Sequence, residues 1–150
     1  MSKSDFLFLL VLATLPIQLN KFFFPEYSYV LGLPIDYRSP TIYLSDIAII
    51  AYLIAFIFAN ARNLSKIVKL HKAFTTALLI FNFYLFASTA FSTSKEASLI
   101  FNMRILVFSM LAVACAHTIA KKSTQKLALS VISISLFWES LLILAQFFLQ

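Results

Sequence analysis

Leu99-Ile-Phe-Asn102-Met-Arg104-Ile-Leu-Val-Phe-Ser109-Met-Leu-Ala112-Val-Ala-Cys115-Ala-His117-Thr-Ile-Ala120 runs directly into Lys121-Lys-Ser-Thr-Gln-Lys126, and the apolar run 127–149 follows. This stretch decides the reading of the chain. Two apolar runs, each close to the ~20 residues a helix needs to cross ~30 Å of hydrocarbon, are separated only by a cationic knot. Working outward, similar runs occupy 6–24, 42–59 and 73–91. A backbone in hydrocarbon must satisfy its own hydrogen bonds, so runs of this length are read as helices. The expected fold is all-α: one transmembrane domain, a polytopic bundle of about five spans.

The cations give an orientation. With the N-terminus inside, the inner segments carry Lys3, then Arg62, Lys66, Lys69 and Lys72, then Lys121, Lys122 and Lys126; the outer ones carry Lys21, Arg38 and Lys95. Eight against three over short loops is the positive-inside pattern. The N-terminus is expected inside and the C-terminus outside.

Composition agrees. The 150 residues are 61% hydrophobic and only 12% charged, against about half and a quarter in soluble domains. The net charge of +6 lies at helix ends, where cations anchor topology and meet lipid headgroups. The expected partners are therefore membrane lipids, with no nucleic acid. The lone Cys115 excludes an internal disulfide. No Cys/His spacing suggests a metal, and His71 and His117 read as interfacial residues. Lys3 followed by 6–15 is like the start of a signal peptide. However, no small-x-small site follows, and Pro16, Gln18, Asn20 and Lys21 only interrupt a run that resumes at Phe22. An uncleaved first span kinked at Pro16 is expected.

The first outer loop, 25–41, holds three prolines and Gly32, the only glycine, in Leu31-Gly32-Leu33-Pro34, which suggests a turn. Tyr27, Tyr29, Tyr37 and Tyr43 crowd the same region, as headgroup-level tyrosines do. In the inner loop 60–72, Leu64, Ile67, Val68 and Leu70 recur at near-helical spacing between cations, an amphipathic segment suited to an anionic surface. Junctions 92–98 and 121–126 should be tight hairpins. Without glycine in the spans, close approach falls to pairs such as Ala112 and Ala116. Thr75, Asn82 and Thr89, spaced by seven, share a face suited to interhelical hydrogen bonds.

Three charges lie inside runs, where each costs ~2.5–3.5 kcal/mol even on the lenient insertion scale. Asp46 is about a turn inside the second run, Arg104 a turn or two inside the fourth, and Glu139 past the middle of the fifth, beside Trp138. All three fall in the outer half. Arg104 can pair with Glu139 or with Asp46, and the antiparallel neighbourhood of the fourth and fifth helices favours Glu139. Ser135, Glu139 and Gln146 lie within a narrow arc that must face protein or water. The charges either lock helices together or line an outward polar cavity where Arg104 meets an anionic headgroup or lipid-linked phosphate. Arg104, Glu139 and Asp46 are thus the candidate substrate-binding residues, with no catalytic residue assigned.

Gly32-Leu-Pro-Ile35-Asp36-Tyr37-Arg-Ser-Pro40-Thr-Ile42-Tyr43-Leu44-Ser45-Asp46, the first span with Pro16 and Lys21, and Phe137-Trp138-Glu139-Ser-Leu-Leu-Ile-Leu-Ala-Gln146-Phe147 resemble the N-terminal portion of the bacterial O-antigen ligase and O-antigen polymerase-like membrane proteins. The resemblance is carried by hydropathy-dominated patterns along the whole chain. It implies about a dozen spans in the full protein, with sugars transferred from a polyprenyl-diphosphate carrier on the outer face of the bacterial cytoplasmic membrane. It implies no metal and no cofactor. The functional arginines and histidine of that family lie in a later loop, so none maps onto this sequence, which is expected to be the N-terminal part of a larger protein. Alone it should not catalyse transfer, because a departing diphosphate needs stabilising groups and the acceptor hydroxyl needs a base. The alternatives are a small structural protein and a transporter-like one; the latter calls for helices broken near the midplane, and only Pro16 qualifies.

Overall fold

The computed structural model describes residues 3–17, 19–34 and 39–149. Gln18, the loop residues Ile35, Asp36, Tyr37 and Arg38, and Gln150 lie outside the described residues. Six α-helices dominate: α1 (Lys3–Thr14), α2 (Leu44–Asn60), α3 (Leu64–Leu70), α4 (Lys72–Thr89), α5 (Lys95–Ile119) and α6 (Lys122–Leu149). Two of them, α5 and α6, are long and apolar enough to cross a membrane. α2 reaches that standard only together with α3, from which it is bent by 105°. Large apolar side chains such as Phe101, Phe137 and Phe147 stand more than half exposed along these helices, untenable for a surface in water. The chain is a membrane-embedded helical protein.

The first apolar run does not form one helix. α1 stops at Thr14, twelve residues and about 18 Å from its start. Pro16 has no N–H for the next helical hydrogen bond, and its ring disfavours helical backbone at Leu15. The Thr14 hydroxyl donates to the carbonyls of Leu10 and Val11 at 3.0 Å, and Ile17 N–H closes the last turn on Thr14. The chain then runs extended. β1 (Asn20–Phe22) pairs antiparallel with β4 (Thr41–Tyr43), Lys21 opposite Ile42, and backbone bonds Phe23 to Pro40 and Leu44 to Leu19 lengthen the ladder. β2 (Tyr29–Val30) and β3 (Leu33–Pro34) form a second small hairpin. Its two-residue turn is Leu31-Gly32, at φ 52° and 79°, the turn that Gly32 suggested. In an otherwise helical fold this segment departs from the expected all-α architecture: a broken helix releases backbone groups, and short ladders take them up.

The core lies where α1 meets α2. Phe8, Val11, Ile49 and Tyr52 are essentially inaccessible, and Leu53 and Phe56 continue the α2 face. Ala114 of α5, Ala128 of α6 and Ile67 of α3 close it. On α5 the buried small pair is Ala114 and Thr118, not Ala112 and Ala116, which are only partly covered; Thr124 and Ala128 repeat that spacing on α6. Of the apolar set expected in 60–72, Ile67 of α3 is buried and Leu64 partly covered, whereas Val68 and Leu70 are exposed like Lys66 and Lys69. Between α5 and α6 only Ala120 and Lys121 remain, so Lys122 and Lys126 belong to α6 itself. Lys121 Nζ reaches Asp5 Oδ1 of α1 at 3.3 Å.

The polar stripe on α4 acts as expected at two of its three positions. Asn82 donates to Ser109 Oγ at 2.8 Å, and Asn102 donates to Thr89 Oγ1 at 2.7 Å. Ser109 and Asn102 are themselves seven apart on α5, so two heptad stripes run antiparallel and meet rung by rung. The same register, continued by seven, sets Thr75 opposite Ala116. Alanine has no hydrogen-bonding side chain, and among the described residues Thr75 Oγ1 is buried without a partner.

Candidate functional site

Asp46 is the third residue of α2, and its position explains its charge. Oδ2 accepts the Tyr43 backbone N–H at 2.9 Å, so the carboxylate caps an otherwise unpaired donor at the positive end of the helix. Both Asp46 oxygens also accept from Arg104 Nη2, at 3.0 and 2.9 Å. The guanidinium lies 4.6 Å from the Tyr43 ring centroid and 5.6 Å from that of Phe108, contacts that favour a cation in a poorly hydrated place.

The expected Arg104–Glu139 pair is therefore not formed. Matched depth made either acid reachable; the face of α5 decides between them. Arg104 and Thr118, two heptads apart, both point at α2, where Thr118 Oγ1 and Tyr52 Oη share a hydrogen bond of 2.7 Å. The α2-facing side of α5 thus carries a polar contact near each end, with Leu111 packed on the core between them. Arg104 is a clamp to α2, and Glu139 is left to another surface.

That surface is a cleft of about 780 Å³ between the end of α1 and α6. One wall is the break itself, with Ala13, Pro16, Ile17 and Leu19. The other is α6, where Ser135, Glu139, Leu142 and Gln146 follow at steps of four, three and four, flanked by Trp138. The expected narrow arc of Ser135, Glu139 and Gln146 is present, extending about 16 Å along the helix. Glu139 is half-buried, and among the described residues it has neither an ion-pair nor a hydrogen-bond partner. Among the described residues no cation lines the cleft. The three candidate residues are thus divided: Asp46 and Arg104 form one unit, and Glu139 lines a separate cleft with groups that the sequence places only on its own helix.

What sequence reasoning missed is the α1 side of this cleft. Pro16 was a signal for a kink, but the pairing of 19–23 with 40–44, which follows the broken segment, depends on residues 17 to 25 positions apart. The break itself lines the cleft.

At the opposite end of the bundle, His71 Nε2 and His117 Nδ1 are buried without partners among the described residues, and the His117 ring meets Phe56 edge-on at 5.9 Å. Among the described residues no group of three or more His, Cys, Asp or Glu side chains converges as a metal site would require. Outside the helices, partial burial and then the Glu96 carboxylate raise the Tyr27 hydroxyl above its ordinary value. Comparison with known protein families, characterised proteins and solved structures gives no match.

Proposed function

We propose that this chain is the N-terminal membrane part of a glycan ligase or polymerase that takes sugars from a polyprenyl-diphosphate carrier at the outer face of the bacterial cytoplasmic membrane, and that the Glu139 cleft holds the sugar end of that substrate. The observation that carries the proposal is an unpaired carboxylate in a cleft beside a broken crossing. A charge at membrane depth is costly and is kept where it meets a ligand, a proton or a partner. The apolar wall of Ile17, Leu19 and Leu142 suits hydrocarbon. Ser135, Glu139 and Gln146 offer acceptors and donors to hydroxyl groups, and Trp138 offers a ring face to the C–H side of a sugar. Arg104, already engaged by Asp46, contributes shape to the bundle and not the primary contact with the diphosphate.

In this reading the chain crosses five times with its N-terminus inside. The first crossing begins with α1, about 18 Å long, and is interrupted at Pro16. Cysteine labelling on a Cys115→Ala background tests the topology. Leu31→Cys, at a position 99% exposed, should react with an impermeant outside reagent, whereas Lys66→Cys and Ser123→Cys should not. Outside labelling at 66 or 123 would overturn the orientation.

Trp138 is the only tryptophan and lines the cleft, so its fluorescence reads ligand entry directly. In nanodiscs, a short-chain polyprenyl-diphosphate glycan should produce a saturable change, and the same carrier without sugar should bind more weakly. Equal response to both would remove the glycan from the reading. A transporter-like protein is the second reading, favoured by the Pro16 break at the cleft; uptake of the glycan lipid across sealed vesicles, absent in the first reading, separates them.

A further inference from the structure

The charge balance of the cleft says more about its occupant than its shape does. Glu139 is the one ionisable side chain among the residues lining it. Arg104, the nearest intramembrane cation by depth, has both Nη2 contacts on Asp46 and belongs to the α2–α5 contact. A carboxylate facing an apolar cleft without a counter-ion repels phosphate and phosphonate groups and leaves neutral hydroxyls only ordinary hydrogen bonds. An ammonium group gains most there, because it completes the ion pair that the protein leaves open and donates charge-assisted hydrogen bonds. Trp138, adjacent in the same wall, adds a ring face, the best of the aromatic partners for a cation. Ser135 Oγ and the Gln146 carboxamide oxygen, a turn or two either side of Glu139, extend the acceptors along the same stripe.

We infer that the Glu139 cleft selects an amphiphile bearing a primary ammonium group, its hydrocarbon against Ile17, Leu19 and Leu142 and its ammonium on the Glu139 carboxylate. This rests on the cleft being a ligand site and sharpens the ligand's chemistry. An amino sugar with a free amine and an amine-headed lipid share that chemistry, and the test separates them.

The probes are dodecyl glucosaminide, its N-acetylated form, dodecyl glucoside and dodecylamine, each titrated into the protein in phosphatidylcholine nanodiscs at a pH that protonates the amines, with Trp138 fluorescence as readout. The free glucosaminide should bind about tenfold more tightly than its N-acetylated form, the margin between a charge-assisted and a neutral hydrogen bond. Glu139→Gln should erase that margin, and a circular dichroism spectrum matching the parent shows that the variant folds. Dodecylamine binding as tightly as the glucosaminide assigns the site to a lipid amine; weaker binding assigns it to an amino sugar. Equal affinity for the free and acetylated glucosaminides, or a margin that survives Glu139→Gln, overturns the inference and leaves the glycan reading standing. No response to any probe overturns both.

Discussion

Replacing Tyr52 by alanine is expected to cost about 3–5 kcal/mol, the range for deleting a large buried aromatic side chain. Tyr52 is fully inaccessible. Its ring lies 5.6 Å from Phe8 of α1 and 5.9 Å from Phe56 of its own helix, and its hydroxyl reaches Thr118 of α5. One side chain thus joins three helices. Tyr52→Phe separates packing from hydrogen bonding. It removes only the bond to Thr118, and interhelical bonds in membranes average about 0.6 kcal/mol, because a freed threonine hydroxyl turns back to a carbonyl of its own helix. Titrating detergent-solubilised protein with a denaturing detergent, with helicity as readout, should therefore rank Tyr52→Ala far below Tyr52→Phe, and the latter close to the parent. Similar losses for the two would mean that the hydroxyl, not the ring, holds the junction.

The second large effect concerns the Asp46–Arg104 pair, and it should be asymmetric. Removing Asp46 leaves a guanidinium among Tyr43 and Phe108 with no counter-charge and strips the Tyr43 N–H of its acceptor. Removing Arg104 leaves a carboxylate that still caps the helix and is still favoured by the positive end of α2. Asp46→Ala should therefore destabilise more than Arg104→Ala. The side chains are 33% and 21% exposed, which keeps the coupling below that of a fully buried pair. A double-mutant cycle should give roughly 1–3 kcal/mol, the range for hydrogen bonds to charged groups. Glu139→Ala combined with Arg104→Ala should be additive. Coupling of Arg104 to Glu139 instead would restore the pair that depth alone suggested.

The comparison of those two acids shows where sequence stops being sufficient. Position along a run follows from counting residues, and Asp46, Arg104 and Glu139 each lie on a helix of the bundle. Partnership depends on helix rotation, and α5 has several polar faces. The one carrying Asn102 and Ser109 meets α4; the one carrying Arg104 and Thr118 meets α2. Heptad spacing reveals each stripe but not which neighbour it meets. The stripe on α4 was legible for the same reason, and the arc of Ser135, Glu139 and Gln146 likewise. The end of α1 was not, because a short apolar run, 6–13, and a proline fit equally a kinked span and a short core helix. The ladder between 20–22 and 41–43 carries the chain beyond the break, and no local pattern announces a pairing across that separation.

The rungs between α4 and α5 carry a consequence for how this hairpin chooses its alignment. Polar residues repeat every seven positions on both helices, so a slide of one heptad, about 10 Å, would again bring polar groups opposite one another, Asn82 beside Asn102. The rungs therefore fix the rotation of the helices about their axes and are nearly blind to translation. Translation is left to the serines of the connection, where Ser92 Oγ bonds the Ser98 hydroxyl and accepts from the Ser94 backbone N–H. A short polar turn outside the bundle's core thus acts as the origin from which the ruler inside it is read.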